Sequence, residues 1–318
     1  MAGLSGVIKA IDNLNAMQED DSTLDQATKK TEIMNCCLII ANGICSPAAK
    51  NLRNFSKTLG LSIKGLMTLC DDEESDVRTL ADECLNKIIR SMSEGSILKI
   101  LFEFYNKIQE NGNWRSLRAA LSRFGLLSYM IKPIKGKPYI SNLIPCIVAI
   151  SKRTEEPVID TLSQSLPLIL KNLGPFMSDN ETKTLLKAFY PNLSSNQANF
   201  RRNAANMILA TCLYCRKPRQ NLFYVLRYLI DTMIPVSSVQ ENLHLVVGVL
   251  GCLKIILPHI DIPDEYDSDS DKHTLNCFLQ TYELCLRYIQ LHSDHNVINA
   301  ALETLSQLLR SNNEALIN

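Results

Sequence analysis

The repeat of this chain is clearest in the heptapeptide Ser75-Asp76-Val77-Arg78-Thr79-Leu80-Ala81. It joins a polar residue, a branched apolar residue, an arginine and a small residue, as expected where a helix begins. Apolar residues then continue at the three-and-four spacing of one helix face, through Cys84, Leu85 and Ile88. Related openings recur at residues 116–120, 156–160, 199–205 and 296–301. The chain therefore repeats one helix-initiating pattern.

The spacing of these openings identifies the class of repeat. With the apolar residue as marker, the steps are 40 residues from Val77 to Leu117, 41 to Val158 and 42 to Phe200. HEAT and armadillo repeats, which are stacks of short helices, have periods of about 40–47 residues. The sequence therefore predicts a helical repeat protein.

A longer step near the C-terminal end indicates an insertion. A further unit is expected at Leu243, 43 residues after Phe200, but the next marker, Val297, follows only after 54 residues. The excess coincides with a strongly acidic segment at about 260–273, for which low hydrophobicity and high charge predict a solvated loop. Ser268 and Ser270 lie among its carboxylates and are candidate phosphorylation sites.

The predicted fold is all-α: an α-solenoid of stacked HEAT-type helical hairpins in a right-handed superhelical array. We expect residues 1–22 to form an N-terminal amphipathic helix with an acidic linker, and residues 23–318 to form the solenoid. Each opening would begin the second helix of a hairpin, with its apolar residue in the seam and its arginine paired with an acidic residue of an adjoining turn. The repeat positions predicted in this way are Val77, Arg78, Leu117, Arg118, Val158, Phe200, Arg201 and Val297.

Charge and cysteine content restrict the classes of partner. Lys plus Arg and Asp plus Glu each number 33, and the net charge of zero argues against nucleic acid or an anionic membrane selected by bulk electrostatics. Eleven cysteines occur without a signal-peptide pattern, which predicts reduced thiols in the cytoplasm, with the nucleus left open as a second compartment. The apolar runs are shorter than the roughly 20 residues of a membrane span.

The residues that could carry chemistry predict neither a cofactor nor a metal. Cys212 and Cys215 have the gap of a zinc knuckle, but no second ligand pair follows at the customary distance. The five histidines lie in no recognisable nucleophile motif. Residues 135–138 lack the first glycine and the Ser or Thr of a phosphate loop, so we interpret them as a turn between helices. A protein that is not an enzyme is predicted.

Basic residues cluster at three places along the chain. Two clusters fall in neighbouring predicted turns and would form one stripe for an acidic protein segment or a lipid headgroup, with ordinary solvated charges as the alternative. The stripe comprises Lys132, Lys135, Lys137, Lys152 and Arg153, and the third cluster comprises Arg216, Lys217 and Arg219.

The N-terminal segment predicts an amphipathic helix whose polar face carries a single lysine, Lys9. Its apolar face is a candidate for weak membrane contact, and the alternative is docking against the first repeat. That face comprises Leu4, Val7, Ile8, Ile11 and Leu14.

Several strings keep the order and spacing of a known family across nearly the whole chain. They are Cys70–Arg78, Ala81–Lys87, Arg115–Leu121, Leu185–Phe189, Tyr282–Leu284 and Asp294–Val297. These strings resemble the N-terminal HEAT region of the huntingtin family. Vertebrate members carry a glutamine tract and a proline-rich stretch after a similar N-terminal helix, whereas here Gln18 is followed directly by Glu19-Asp20-Asp21-Ser22. Functions assigned to those tracts are therefore not carried over.

The resemblance implies a non-catalytic scaffold. Members of the family are very long helical-repeat proteins implicated in vesicle and microtubule-motor transport and in autophagy, and they clasp a tetratricopeptide-like huntingtin-associated partner. Motor and vesicle adaptors are implied as further partners. The alternative is an importin-like or other HEAT-repeat transport adaptor, which would predict a ladder of Trp and Asn, whereas Trp114 is the single tryptophan. Because Ser311–Asn318 follow an apolar helix without a polar capping hairpin, we expect a truncated solenoid, with a short natural isoform as the alternative.

Overall fold

A computed structural model describes residues 4–19, 25–235, 242–260, 269–291 and 294–311. Within these residues the chain forms fifteen α-helices, here α1–α15, with four short 3₁₀ helices and no strand. The helices fall into two compact units, Met1–Lys135 and Gly136–Asn318. The predicted all-α class is confirmed.

The first unit holds three helical hairpins. Its helices are α1 (Leu4–Glu19), α2 (Gln26–Cys45), the single turn α3 (Pro47–Lys50), α4 (Phe55–Leu69), α5 (Ser75–Ser91), α6 (Glu94–Glu110) and α7 (Trp114–Leu127). The hairpins are α1–α2, α4–α5 and α6–α7. The first helices pack in the order α1, α4, α6, and the second helices α2 and α5 pack side by side. This layering of first and second helices is the arrangement of stacked helical repeats.

The second unit continues the same pattern. Its helices are α8 (Pro133–Ile150, whose first turn lies in the first unit), α9 (Glu156–Leu173), α10 (Asp179–Phe189), α11 (Ala198–Tyr214), α12 (Pro218–Met233), α13 (Leu243–Ile256), α14 (Asp269–Leu291) and α15 (His295–Ser311). The second helices pack in the order α9, α11, α13, α15, and the first helices α12 and α14 pack together. The second helices α9, α11, α13 and α15 therefore each pack against a second helix of a neighbouring hairpin.

Local sequence explains where the helices begin and end. Ser178 and Glu181 form a capping box at the start of α10, in which the Ser178 hydroxyl oxygen accepts from the Glu181 amide at 3.3 Å. Pro218 occupies the first position of α12, where the missing N–H costs nothing. Asn111 ends α6 with φ of 46°, in the left-handed region that asparagine tolerates better than most residues.

The apolar repeat markers lie in the core. Val77, Leu117, Val158 and Val297 are completely buried, and Phe200 is 7% exposed. Small residues at the seams allow close approach: a Cβ placed on Gly248 of α13 would lie 1.9 Å from the Leu193 carbonyl oxygen. The repeat period therefore marks residues that hold neighbouring helices together.

Two expectations about loops need correction. Residues 135–138, which include Pro138, do not form a turn, because they lie in the first half of α8. Pro138 is the sixth residue of α8 and removes one hydrogen bond of the helix, but burial of Ile140, Leu143 and Ile147 keeps the segment helical. Of the loop predicted at about 260–273, residues 261–268 lie outside the described residues, and residues 269–273 belong to α14, which begins at Asp269.

Candidate protein-binding surface

The repeat arginines bind backbone and not the acidic side chains that were predicted. Arg78 Nη1 donates to the Asp72 and Glu73 carbonyl oxygens, each at 2.7 Å. Arg201 Nη1 makes the equivalent contacts, at 2.7 Å to Ser195 O and 3.1 Å to Asn196 O. The expected acidic pairing is therefore wrong at both positions. The turn that precedes each second helix offers carbonyl groups with no helical partner, and the guanidinium satisfies them.

Arg118 occupies a different environment, although its marker Leu117 is buried like the others. Its side chain lies over the indole of Trp114, with 5.9 Å between the guanidinium carbon and the ring centre. At the start of α7, Asn113 and Asp71 accept hydrogen bonds from the Arg115 and Ser116 amides. Arg118 is exposed and forms no ion pair with an acidic residue that the structure describes, so the acidic pairing expected of it is not observed.

Polar contacts join consecutive hairpins in the first unit. Arg123 of α7, nearly buried, donates to Asp82 Oδ1 of α5 at 2.7 Å and to Asn86 Oδ1 at 3.1 Å. Lys87 Nζ donates to Asn42 Oδ1 of α2 at 2.7 Å. These contacts use polar groups of the second helices to align the repeats.

The second unit uses the same kind of contact. Asn203 Nδ2 of α11 donates to Asp160 Oδ1 of α9 at 2.5 Å. The Thr304 hydroxyl of α15 donates to the Leu250 carbonyl of α13 at 2.9 Å, and both groups are buried. Groups that are engaged in this way are not available to a partner.

A groove of about 630 Å³ lies between α5 and α7. We call it the α5–α7 groove and define it by six of its lining residues, which are Thr79, Asp82, Glu83, Trp114, Arg115 and Arg118. Most of its lining is polar. It is built from the outward sides of two consecutive second helices, whose inward sides carry the buried markers.

A second groove, of about 470 Å³, lies between α9 and α11. We call it the α9–α11 groove and define it by Gln164, Pro167, Asn206, Leu209, Leu213 and Tyr214. Apolar and amide side chains are mixed along it. Neither groove was predicted from the sequence. In the α9–α11 groove, an exposed Gln or Asn on a helix gives no sequence signal of a binding site. In the α5–α7 groove, the available signal was the close spacing of Trp114, Arg115 and Arg118.

The predicted basic stripe is partly engaged in ion pairs. Lys137 Nζ lies 2.5 Å from Glu181 Oε2, and Arg153 Nη2 lies 2.5 Å from Glu155 Oε1. Lys132 and Lys135 are exposed in the first unit and Lys152 is exposed in the second. In the third cluster, Lys217 pairs with Asp179 at 2.7 Å. The stripe therefore stays a prediction, with two of its five cations already paired.

Glu181 is the centre of one of these networks. Burial by itself would raise its pKa, but hydrogen bonds from Lys137, from the Ser178 amide and hydroxyl and from the Ser141 hydroxyl outweigh burial and lower the pKa to about 2. The carboxylate therefore ties α8 to the start of α10.

The candidate membrane-contact face is buried. Leu4, Val7, Ile11 and Leu14 are each at most 7% exposed, because α1 packs against α2 and α4 as the first helix of the first hairpin. Only Ile8 of the predicted face is substantially open, at 40% exposure. In this fold the face belongs to the core. Its position is that of the alternative prediction, in which the N-terminal helix docks against the first repeat. Among the described helices, none has the length and apolar character needed to cross a membrane.

Most cysteine thiols pack in the interior, as small apolar side chains do. All eleven cysteines are unpaired, and Cys212 and Cys215 are buried. Burial raises the pKa of Cys215 to about 12, which disfavours the thiolate that a metal or a nucleophile would need. Within the described ranges, no three His, Cys, Asp or Glu side chains are grouped as a metal site would require. His292 and the candidate phosphorylation site Ser268 lie outside the described residues; Ser270 lies in the first turn of α14, and its side chain is also outside them.

Comparison with solved structures confirms the fold. A structure of Kap95 in complex with Nup1 aligns with 98% of this chain and 38% of that chain, at a TM-score of 0.54 and 15% identity. A structure of importin beta aligns with 92% of this chain and 36% of that chain, at a TM-score of 0.51 and 14% identity. Identity at this level shows the shared solenoid fold alone.

Comparison with curated sequences shows the family. The model "Huntingtin, N-terminal HEAT 1" matches residues 66–217. Huntingtin of Takifugu rubripes is 36% identical over 98% of this chain, which spans 10% of that protein. The HD protein homolog of Dictyostelium discoideum is 30% identical over 61% of this chain and 7% of its own length. The chain belongs to the huntingtin family and matches its N-terminal HEAT-repeat region.

Proposed function

We propose that the chain acts as a non-catalytic scaffold that binds proteins in vesicle and microtubule-based transport and in autophagy. Its place of action would be the cytoplasm, with the nucleus as a second compartment. The observation that carries the proposal is that the second helices have two different sides. Their inward sides bury the apolar markers, and their outward sides form open grooves. Family membership and the HEAT fold support a scaffold, since helical solenoids offer extended binding surfaces.

The α9–α11 groove has the chemistry of a peptide-binding surface. Gln164 and Asn206 are exposed, and neither side chain forms a hydrogen bond with another described residue. Each amide can donate to and accept from a peptide backbone. Pro167, Leu209 and Leu213 line the same groove and would receive apolar side chains. A groove with apolar residues and a few oriented polar groups is typical of sites that bind an extended segment.

The partners proposed from the family are a tetratricopeptide-like huntingtin-associated protein and adaptors of motors and vesicles. The test is affinity capture from cytosol with residues 1–318 and with the double variant Gln164→Ala/Asn206→Ala, followed by mass spectrometry. We expect the variant to lose proteins of these classes. The matched control is Lys171→Ala, an exposed residue of α9 outside the groove, which should capture as the unaltered chain does. Identical capture by all three chains, equal to that of an unrelated helical solenoid, would refute the proposal.

An importin-like adaptor is the second candidate, since Kap95 and importin beta share the fold at TM-scores of 0.54 and 0.51. That resemblance is structural and carries no binding residues with it. Binding of Nup1, which the Kap95 structure contains, separates the two candidates. A scaffold of the huntingtin type should not retain immobilised Nup1, whereas saturable retention would favour the importin-like function.

A further inference from the structure

The α5–α7 groove contains two arginines placed over one aromatic ring. Trp114 is the first residue of α7 and the single tryptophan of the chain. The guanidinium carbon of Arg115 lies 4.9 Å from the centre of its ring, and that of Arg118 lies 5.9 Å away. Stacking on an aromatic face holds a guanidinium in a fixed orientation while leaving its N–H groups free to donate.

These guanidinium groups have no anionic partner among the residues that the structure describes. Arg115 and Arg118 form no ion pair with any residue that the structure describes, and neither side chain donates a hydrogen bond to one. Two other arginines of the same helices, Arg78 and Arg123, differ. Arg123 pairs with Asp82, and Arg78 is held by the backbone carbonyls of the preceding turn. Two oriented cations with unused donors therefore face the groove.

We propose that the α5–α7 groove binds a carboxylate-bearing peptide segment of a partner protein, with Arg115 and Arg118 as the residues that hold an Asp or Glu side chain. This inference rests on the proposed scaffold function and names the chemistry of one partner. The planar guanidinium fork matches a carboxylate through two parallel hydrogen bonds, which are stronger than neutral ones. The exposed Thr79 across the groove adds a polar wall for the peptide backbone.

The opposite wall argues for a peptide and against a polyanion. Glu83 and Asp82 of α5 line the same groove, and Glu83 is exposed without a cationic partner among the described residues. A nucleic acid or an anionic bilayer would bring its evenly spaced charges against these carboxylates, at an electrostatic cost. A nucleic acid base would also need the indole face that the guanidinium groups occupy. A short segment with one or two carboxylates avoids both conflicts.

Trp114 supplies a reporter inside the groove. The test titrates residues 1–318 with acetyl-Gly-Gly-Glu-Glu-Gly-Gly amide (the diglutamate peptide), which carries two carboxylates, and separately with acetyl-Gly-Gly-Gln-Gln-Gly-Gly amide (the diglutamine peptide). Binding is followed by tryptophan emission and by the anisotropy of fluorescein-labelled peptide. We expect saturable binding of the diglutamate peptide that weakens with salt, and no saturation with the diglutamine peptide. The variant Arg115→Gln/Arg118→Gln should weaken binding by about tenfold or more, because the charge-assisted hydrogen bonds are lost.

Two controls separate the site from net charge and from folding. Arg216→Gln removes an exposed arginine of the second unit and should bind the diglutamate peptide as the unaltered chain does. Arg118→Lys keeps the charge without the fork and should fall between the unaltered chain and the double variant. Both groove variants should keep the thermal unfolding midpoint of the unaltered chain, since these side chains are on the surface.

Three outcomes would overturn the inference: no binding of the diglutamate peptide, equal binding by the double variant, or tighter binding of a single-stranded oligonucleotide or of phosphatidylserine vesicles through the same two arginines. Capture of proteins through the α9–α11 groove, with any of these three outcomes, would remove this inference alone and leave the scaffold proposal standing.

Discussion

Arg123 of α7 donates to Asp82 of α5 across a distance of 2.7 Å, from a side chain that is only 9% exposed. The contact joins two consecutive second helices and also reaches Asn86 at 3.1 Å. Through this contact the Arg123 side chain holds two consecutive hairpins of the first unit together.

Arg123→Ala should destabilise the first unit by about 1–3 kcal/mol. Removal of one partner of a nearly buried pair costs more than removal of a surface charge, and we reduce the usual magnitude because Asp82 is 50% exposed. The free energy of unfolding would be measured by urea denaturation. Asp82→Asn is the control, with an expected loss of less than about 1 kcal/mol, because its amide oxygen still accepts from Arg123. Equal losses for the two variants would contradict the assigned role.

Gly248→Ala should destabilise the second unit by about 1–3 kcal/mol or more. A Cβ at this position would lie 1.9 Å from the Leu193 carbonyl oxygen, which is backbone and cannot swing aside. Gly251, one turn along α13, is the matched control, because nothing lies within 4 Å of its Cβ position. Gly251→Ala should stabilise by about 0.5–1 kcal/mol through helix propensity. Shifts of the thermal midpoint in the same direction for both variants would be the contrary result.

Glu181 should make stability depend on pH in the acid range. Its pKa is lowered from 4.5 to about 2 in the folded chain, so the folded state favours the carboxylate more than the unfolded state does. The contribution is therefore fully present above about pH 4.5 and is lost as the pH falls towards 2. Thermal midpoints measured from pH 6 to pH 3 should fall less steeply for Glu181→Gln than for the unaltered chain.

The control for this dependence is Glu110→Gln, which removes a carboxylate paired with Lys107 of its own helix. Its midpoints should follow those of the unaltered chain across the same range. If Glu181→Gln also follows that curve, Glu181 does not contribute to the acid sensitivity.

The apolar face of α1 should behave as core. Ile11→Ala should cost about 2–4 kcal/mol, because Ile11 is 5% exposed and packs within the first hairpins. Ile8→Ala, on the open side at 40% exposure, should cost about 0.5 kcal/mol or less. The measurement is hydrogen exchange of α2 and α4 amides, which should quicken for the first variant only.

Membrane contact through α1 would require this helix to leave its hairpin. Co-sedimentation of the whole chain with phosphatidylserine vesicles should therefore recover little protein. A peptide of residues 1–18 is the comparison, because its face is not covered by α2 and α4. Strong binding by the intact chain, abolished by Ile11→Asp, would show that α1 undocks.

Much of the fold could be predicted because its information is local and repeated. The markers Val77, Leu117 and Val158 follow one another at 40 and 41 residues, and all three are buried. Helical periodicity assigns each marker to a face without knowledge of the partner helix. The turn predicted at residues 135–138 was wrong, because a proline near the start of a helix gives the same local signal whether the helix begins before it or after it.

The candidate binding surface was less accessible to sequence reasoning. The interaction expected of Arg78 and Arg201 was wrong, because a one-dimensional pattern shows acidic neighbours but not the backbone carbonyl groups that the turn presents. The sequence predicts that Lys137 is free to bind a partner, but folding places Glu181 of another helix beside it.

Periodicity, caps and the repeat length were thus sufficient to assign helices, their hairpin order and the apolar markers, because these depend on residues within a few turns of one another. Tertiary packing decided which faces remain open. It buries the amphipathic face of α1, and it leaves Arg115 and Arg118 over Trp114, beside the wall of α5, with no ion pair to any described residue. These outcomes depend on distances between side chains of different helices, and such distances are set only when the hairpins stack.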